Sequence, residues 1–447
     1  MSRFISTDEW VARGKVARTE MPRKVLAEHI VADDRPDPVD YLYASDKGRD
    51  EALLPLKYER MGVSAFTFYR GFAAMHAYDL GQGQHTDLTV QLCGDMHLSN
   101  FGVYASPERH LVFDVNDFDE TLPGPFEWDL KRLVTSFEIM GRTRGFSSAV
   151  TAAAVRQVTE SYRLRMSELA VMNEVSVWYD RMDQSVLETM ATTFGAKRGR
   201  KQMDARLAKA KGKTHARAAA KLTDVVDGRR RFRSDPPLLE PLNYDHQESE
   251  LLNAVFNRYR STLSADRNDL LGRYRIIDVA RKVVGVGSVG TRCWVLLLEG
   301  RTGEDLLLLQ AKETGHSVLE PYVRKSAYRH QGRRVVEGQR LTQAASDIFL
   351  GWANGVDASR QYYVRQLHDM KGGVEPDRMP ATSLRPYAEI CGTGLARAHA
   401  RAGGATMIST YLGGSDRCDR ALAEYAKAYA DQNERDFAAF TAARASS

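Results

Sequence analysis

The sequence predicts an α+β fold, in which a small antiparallel β region accompanies a larger helical region. Short strand-like stretches separated by Gly-bearing turns fill residues 271–372. Apolar residues recur at helical spacing in residues 127–142 and 384–402. A tight hairpin is predicted at residues 101–115, far in the chain from the strands of residues 271–372. These three observations indicate a protein with segregated helices and strands.

The length and composition indicate an ordinary globular protein of two or three packed domains or lobes. The chain has 447 residues, of which 43% are hydrophobic and 27% are charged. Its net charge of +5 is spread over 63 basic and 58 acidic residues, so charge alone does not indicate nucleic acid. The four cysteines lack metal-type spacing, and no apolar run approaches about 18 residues. We therefore expect a reduced cytoplasmic protein without a signal peptide, disulfide framework or membrane span.

The first half of the chain is predicted to be mainly helical. Residues 1–60 are charged and contain prolines, which indicates a loosely packed arm. Helical spacing at residues 66–80 leads towards a strand at residues 88–92. An amphipathic helix is predicted at residues 127–142, and a second long helical region at residues 148–180. The helical face at 127–142 is strongly apolar, so we expect it to be buried.

The second half of the chain changes to strands and then returns to helices. Strands are predicted at residues 276–284, 293–298 and 306–311, a helix at 333–345, a strand pair at 348–352 and 362–367, and helices at 384–402 and 421–437.

Two polar motifs carry the strongest chemical signal. The first is GDMHLSN at residues 94–100, and the second is NDFDE at residues 116–120. Between them, FGVYA and LVFDV read as two short strands joined by the turn residues SPERH. We therefore expect both motifs to meet at the open end of one hairpin.

This hairpin brings oxygen ligands together. Folding it places Asn100 roughly opposite Asp117, with Asp95 at the mouth, and such carboxylate and amide oxygens suit Mg²⁺. Asp114 and Asp119 compete with Asp117 for the metal. On an ideal strand Asp117 and Asp119 share one face, and Asp114 lies on the other. Asp117 is favoured by its distance from Asn100 and by the phenylalanine after it. Three acids on an apolar strand could cap the strand end in solvent, but without a cation they are costly.

A glycine-rich motif is the second candidate site. Residues 285–290 read GVGSVG, with Gly285, Gly287, Ser288 and Gly290 as candidate cofactor-binding residues. In a dinucleotide-binding fold this motif opens a helix, but the residues that follow here are strand material. The motif therefore predicts the tip of a β-hairpin, whose backbone N–H groups can bind phosphates. A Rossmann oxidoreductase is accordingly disfavoured.

Lys312 ends the apolar strand that follows. A lysine at the end of a buried strand usually has a partner. Glu337, on the next predicted helix, is the best candidate, whereas Glu320 is closer in sequence but lies beside a proline in a loop. Lys312 either contacts phosphate or merely emerges at a sheet edge, and the glycine loop favours phosphate.

These motifs resemble those of a known superfamily. Residues 94–100 look like the H-G-D-x-H-x-x-N catalytic loop of aminoglycoside-phosphotransferase-like kinases, although Cys93 stands where a histidine is often found. Asp117 and the following phenylalanine look like the metal-binding Asp-Phe step, and the glycine hairpin with Lys312 resembles the small lobe of protein kinases. Residues 60–437 are similar to a bacterial domain-of-unknown-function family related to the kinase-like fold. Its matching stretches include FYRG, GDMHLSNFG, NDFDET, VGVGSVGTR, VVEGQR, ASDIFLGW and LARAHARAG.

The resemblance implies a protein-kinase-like two-lobed fold that is circularly permuted. In kinases the glycine loop precedes the catalytic loop, whereas here it follows about 190 residues later. Permutation reconciles the two orders, because chain termini often lie close together. The implied units are an N-terminal arm (1–60), the first part of the large lobe (61–270, with a basic insertion at about 195–235), the small β lobe and hinge (271–372), and C-terminal helices that complete the large lobe (373–447).

The resemblance also implies a reaction, namely transfer of the γ-phosphoryl group of Mg-ATP to an unidentified hydroxyl. The implied roles are Asp95 as catalytic base, Asn100 and Asp117 as Mg²⁺ ligands, Lys312 paired with Glu337 at the phosphates, and Gln366 and His368 in a hinge at the adenine. His97 either orients the loop by hydrogen bonding or packs in the core. A nucleotide-binding pseudokinase scaffold and an AMP transferase stay open as alternatives.

Four further features have two interpretations each. Residues 197–217 contain nine Lys or Arg against one Asp, which indicates a solvated helical insertion or a docking surface for an anionic substrate or nucleic acid. The lack of interleaved aromatic residues disfavours single-stranded nucleic acid. For Arg70 we expect a surface ion pair rather than binding of phosphate or substrate. Asp129 opens a helix, and the resemblance implies that it also braces the catalytic loop. His399 is expected to pack rather than react.

Overall fold

The computed structural model describes residues 4–183, 215–283, 285–367, 372–373 and 375–446. Most of the basic segment 197–217, together with His368, lies outside the described residues. The predicted α+β class is confirmed, because helices predominate and the sheets are antiparallel. Within the described ranges, no helix has both the length and the apolar character needed to cross a membrane.

The helices occupy both ends of the chain and flank the main sheet. They are Thr7–Glu20, Pro38–Ser45, Leu54–Met61, Ala65–Gly71, Ala73–Gln82, Phe126–Thr143, Ser148–Leu169, Glu174–Tyr179, His215–Leu222, His246–Arg260, Ala265–Leu271, Gln331–Thr342, Ala381–Arg401, Ala405–Leu412 and Arg417–Ala445.

The strands are numbered in chain order. They are β1 (Thr89–Leu92), β2 (Phe101–Ala105), β3 (Leu111–Val115), β4 (Leu122–Pro125), β5 (Met182–Asp183), β6 (Thr223–Val226), β7 (Arg229–Phe232), β8 (Leu239–Pro241), β9 (Arg275–Lys282), β10 (Cys293–Glu299), β11 (Leu306–Glu313), β12 (Gly351–Asn354), β13 (Gln361–Gln366) and β14 (Gly372–Gly373).

The largest sheet is antiparallel and has the strand order β12-β13-β11-β10-β9-β8. The glycine motif joins β9 to β10, which pair antiparallel, so the predicted β-hairpin is confirmed. The helix Gln331–Thr342 follows β11 and packs against β12 and β13. The helix His246–Arg260 contributes Phe256 and Tyr259 to a second apolar layer with Leu309 and Val364 of the sheet.

The predicted hairpin of residues 101–115 is also present. Phe101 pairs with Val115 across β2 and β3. One step further, the Asn116 backbone N–H donates to the Asn100 carbonyl at 2.8 Å. The two polar motifs therefore meet at the open end of this hairpin, as their spacing predicts.

A bundle of long helices buries the other side of the hairpin. Phe126–Thr143, Ser148–Leu169, Ala381–Arg401 and Arg417–Ala445 pack around one apolar core. The predicted long helix at 148–180 is interrupted after residue 169, because Asn173 starts a new helix by accepting the Ser176 N–H at 2.8 Å.

Residues 4–60 differ from the predicted loose arm. Their helices bury Leu26, Leu42 and Leu53 to 4% exposure or less, and Thr7–Glu20 packs on Ala405–Leu412. The many charged residues of this segment hid its few apolar residues from the sequence analysis. Those apolar residues are covered by C-terminal helices that are distant in sequence.

Candidate active site

One cavity of about 230 Å³ lies where the hairpin end, the glycine loop and β11 meet. It brings together most of the residues that the sequence singled out: Asp95, His97, Asn100, Asp117, Asp119, Gly285, Gly287, Ser288 and Lys312. Lys312 Nζ lies 3.9 Å from Asp117 Oδ2. Groups that are far apart in the chain therefore face one shared space.

The loop that carries Asp95 is held by its backbone. Asp129 accepts the N–H groups of Cys93 at 2.7 Å and Gly94 at 2.9 Å, so it braces this loop as the resemblance implied. His399 Nε2 donates to Asp129 Oδ2 at 3.2 Å, and the histidine is fully buried, so it packs as expected. Gly94 has φ +99°, and a Cβ there would overlap the Glu120 carbonyl. Only glycine fits this position without strain.

The Asp95 carboxylate has one strong partner and a buried setting. Arg132 Nε donates to Asp95 Oδ1 at 2.8 Å. Burial raises the pKa of Asp95, and the charge of Arg132 opposes this rise without cancelling it. His97 Nε2 lies 3.8 Å from Asp95 Oδ2. Burial and the charge of Arg70 hold the pKa of His97 well below its usual range, so its imidazole is neutral at pH 7.

Asn100 and Asp117 each present a side-chain oxygen that can hold a hard cation such as Mg²⁺. Asn100 Nδ2 donates to the Asp95 carbonyl at 2.6 Å, which leaves the amide oxygen for a cation. The Asp117 side chain is 37% exposed and faces the cavity. In the part of the chain that the structure describes, no three His, Cys, Asp or Glu side chains form a metal cluster. Mg²⁺ commonly uses only one or two protein carboxylates and takes its other ligands from phosphates and water.

Lys312 pairs with Asp119 rather than with Glu337. Lys312 is 4% exposed and forms an ion pair with Asp119, which also accepts the Tyr363 hydroxyl at 2.8 Å. Glu337 instead lies 3.5 Å from Arg333 on its own helix. The predicted Lys312–Glu337 pair is therefore wrong. Glu337 meets Arg333 at the i, i+4 spacing of a helix surface, whereas Asp119 reaches Lys312 directly.

The ion pair has a clear electrostatic signature. Burial lowers the pKa of Lys312, but the charges of Asp117 and Asp119 outweigh it, so the pKa lies above its usual value. Burial raises the pKa of Asp119, and Lys312 more than reverses this change, so the pKa lies below its usual range. Both groups are charged at neutral pH. Asp119 therefore holds the lysine, and Asp117 is the more available carboxylate.

The helix Gln331–Thr342 still contacts the loop that carries Asp119, through a residue that the sequence did not single out. Arg334 is 2% exposed and donates to the backbone carbonyls of Thr121 at 2.7 Å and Asp119 at 2.8 Å. It lies three residues before Glu337 in the stretch RVVEGQR. The helix therefore fixes the backbone that carries Asp119.

The N-terminal segment holds the glycine loop. Arg49 donates to the carbonyls of Gly287 at 3.0 Å and Val289 at 2.7 Å. The Gly290 carbonyl accepts the Asp50 N–H at 2.8 Å, so Gly290 serves this contact and does not line the cavity. No sequence signal linked Arg49 to the loop, because the segment had been predicted as a loose arm.

Asp114 is not a metal ligand in this geometry. Its side chain is fully buried on the opposite face of β3, where it pairs with Arg397 and accepts the Ala344 N–H at 2.8 Å. The strand alternation that separated Asp114 from Asp117 in the sequence is therefore observed. Asp114 joins the hairpin to the helix Ala381–Arg401 instead.

Gln366 lies beside a different and smaller cavity. Its side-chain amide donates to Asp347 Oδ1 at 2.7 Å, and it lines a space of about 40 Å³. At the β13 side of the main cavity stand Gln310 and Arg365. The predicted adenine contact of Gln366 therefore has no counterpart in the main cavity, and His368 lies outside the described residues.

The fold and the cavity define an α+β protein with a polar cleft between an antiparallel sheet and a helical bundle. The chain belongs to the family DUF2252, described as uncharacterized proteins conserved in bacteria, whose model matches residues 49–443. This match confirms the predicted membership of a bacterial domain-of-unknown-function family. No curated protein and no solved structure matches the chain. The chemistry of the cleft therefore has to be argued from its own residues.

Proposed function

We propose that this protein is an ATP- and Mg²⁺-dependent phosphotransferase with a circularly permuted, kinase-like fold. The observation that carries the proposal is the 3.9 Å approach of Lys312 Nζ to Asp117 Oδ2. Kinases need a phosphate-binding lysine and a metal-binding aspartate at one nucleotide. In this chain the aspartate precedes the lysine, which is the reverse of the order in kinases, and the two side chains still lie close together.

The order of elements in the main sheet supports the kinase-like small lobe. A glycine loop joins β9 to β10, Lys312 lies on β11, and a helix precedes β12 and β13. Protein kinases likewise carry the glycine loop before the strand that bears the lysine. The catalytic-type loop precedes these elements in sequence, and the helix Ala381–Arg401 follows them. Permutation accounts for this connectivity.

In the proposed reaction, the acceptor hydroxyl oxygen forms a bond to the γ-phosphorus of ATP. The bond between that phosphorus and the β–γ bridging oxygen breaks, and ADP leaves with the bonding electrons. Asp95 accepts the hydroxyl proton, and Arg132 fixes its carboxylate at 2.8 Å. Lys312 neutralises charge on the phosphates, and the glycine loop donates backbone N–H groups to them. A Mg²⁺ ion held by Asn100 and Asp117 would neutralise further phosphate charge.

Two alternatives use the same cleft. In a pseudokinase scaffold the nucleotide binds without turnover, and the presence of Asp95, Asn100, Asp117 and Lys312 in one cavity argues against it. In an AMP transferase the acceptor attacks the α-phosphorus, and pyrophosphate leaves. The same metal and phosphate groups serve that reaction.

The products of ATP consumption distinguish these functions. The purified chain is incubated with ATP and Mg²⁺ over a panel of hydroxyl-bearing acceptors, and the nucleotides are separated by chromatography. Formation of ADP supports phosphoryl transfer, and formation of pyrophosphate supports AMP transfer. ATP binding without any turnover supports the scaffold, and the absence of ATP binding contradicts all three.

A further inference from the structure

Arg70 is an uncommitted cation in the candidate active site. It lies at the end of the helix Ala65–Gly71 and lines the same cavity as Asp95, Asp117 and Lys312. Its Nε is buried and has no hydrogen-bond partner among the described residues. No carboxylate of the described ranges lies within 4.0 Å of its guanidinium, so the expected surface ion pair is wrong.

The other cations that line the cavity have protein partners. Arg49 and Lys57 pair with Asp46, Lys312 pairs with Asp119, and Arg365 donates to the Asn116 carbonyl. Arg132 lies behind the cavity wall, where its guanidinium stacks 3.7 Å from the Tyr69 ring centroid and binds Asp95. Among the lysines and arginines that line the cavity in the described structure, Arg70 is the one whose side chain forms neither a hydrogen bond nor an ion pair with the protein, and its guanidinium lies 5.8 Å from the Phe66 ring centroid.

The position of Arg70 indicates which kind of anion its guanidinium is placed to bind. Arg70 lines the same cavity as the proposed base Asp95 and the proposed metal ligand Asp117, and the charges of Asp95, Asp377 and Asp117 all act on its guanidinium. Its backbone carbonyl lies 3.3 Å from the place that a Cβ on Gly287 would occupy, so it also adjoins the glycine loop. A phosphoryl group moving from ATP to an acceptor passes between the metal, the loop and the base.

We propose that Arg70 binds the transferred phosphoryl group and neutralises its charge in the transition state. This inference rests on the phosphotransferase proposed above. A buried Nε–H without a hydrogen-bond acceptor is costly, and the planar fork of guanidinium donors matches phosphoryl oxygens in a bidentate manner. Arg70 supplies from within the chain what an arginine finger supplies in other phosphoryl-transfer enzymes. Arg70 takes no part in proton transfer, because the proton of the acceptor hydroxyl goes to Asp95.

The test uses a stable analogue of the phosphoryl group in the transition state. Thermal unfolding of the whole chain is measured with Mg-ADP alone and with Mg-ADP plus aluminium fluoride. The variants are Arg70→Met and, as a matched control, Arg144→Met, which removes an exposed arginine that does not line the cavity. The wild type and Arg144→Met are expected to gain a further rise in unfolding temperature from fluoride.

Arg70→Met is expected to keep the Mg-ADP shift and lose the fluoride increment. Its rate of ADP formation should fall by about 10³–10⁵-fold, the range for loss of an arginine finger. Retention of the full increment overturns the inference, as does a wild type that binds Mg-ADP without any increment. A wild type that shows no Mg-ADP shift overturns the proposed function itself. If Arg70→Met does not fold, Arg70→Gln takes its place, with the same outcomes.

Discussion

Asp119 and Lys312, which are 193 residues apart in the chain, form an ion pair at the floor of the cleft, and the Tyr363 hydroxyl donates to the same carboxylate. This pair joins the loop of residues 116–120 to the sheet that carries the glycine loop. The two halves of the proposed nucleotide site are therefore held in register by protein groups. A lysine fixed in this way is preorganised to meet phosphates.

The ion pair predicts that stability depends on Asp119, which pairs with Lys312, much more than on Glu337, which the sequence had indicated as that partner. Asp119→Asn should lower the free energy of unfolding by about 2 kcal/mol, because it leaves Lys312 charged and poorly compensated. Glu337→Gln should change it by less than about 0.5 kcal/mol, because its pair with Arg333 lies on a helix surface. Urea denaturation measures both, and an equal loss in the two variants would contradict the assignment.

The same pair predicts how the stability difference depends on pH. The pKa of Asp119 is lowered in the folded protein, so its charge stabilises the fold above the pKa of the unfolded chain. That contribution is lost as the pH falls through the folded pKa. The gap in unfolding free energy between the wild type and Asp119→Asn should therefore be largest near neutrality and shrink in acid. A gap that widens as the pH falls would be incompatible with this pair.

Asp95→Asn tests the base. Turnover should fall by about 10²–10⁴-fold, the usual contribution of a general base, while Mg-ATP binding persists. The proposed mechanism requires ionised Asp95, and burial raises the pKa of this group. The rate should therefore fall as the pH is lowered, and this fall should begin at a pH above the range in which ordinary carboxylates titrate. Steady-state kinetics across pH measure this limb, and unchanged turnover in the variant would remove Asp95 from the mechanism.

Gly94→Ala tests why the catalytic-type loop begins with glycine. Gly94 and Gly145 both have positive φ, but a Cβ on Gly94 would meet the Glu120 carbonyl, whereas Gly145 faces open space. Gly145→Ala should cost about 1 kcal/mol of unfolding free energy, and Gly94→Ala clearly more. Thermal denaturation compares the two. Equal costs would show that the contact with Glu120 relaxes freely.

Local pattern predicted the parts of the site that lie on one hairpin. Asp95, Asn100 and Asp117 are linked by a short turn, so strand periodicity alone brings them together. The same periodicity separated Asp114, whose partner Arg397 comes from a distant helix. Sequence spacing carries no information on which carboxylate reaches Lys312 across the cleft. Tertiary packing decides that contact, and it also places Arg49 at the glycine loop.

Isothermal titration of ATP, with and without Mg²⁺, tests the central claim most directly. The wild type should bind Mg-ATP more tightly than ATP alone, because Asn100 and Asp117 share the metal with the phosphates. Asp117→Asn should abolish this difference, whereas Asp87→Asn, at an exposed carboxylate outside the cavity, should preserve it. The account is contradicted if the wild type binds no ATP, or if Asp117→Asn keeps the full effect of Mg²⁺.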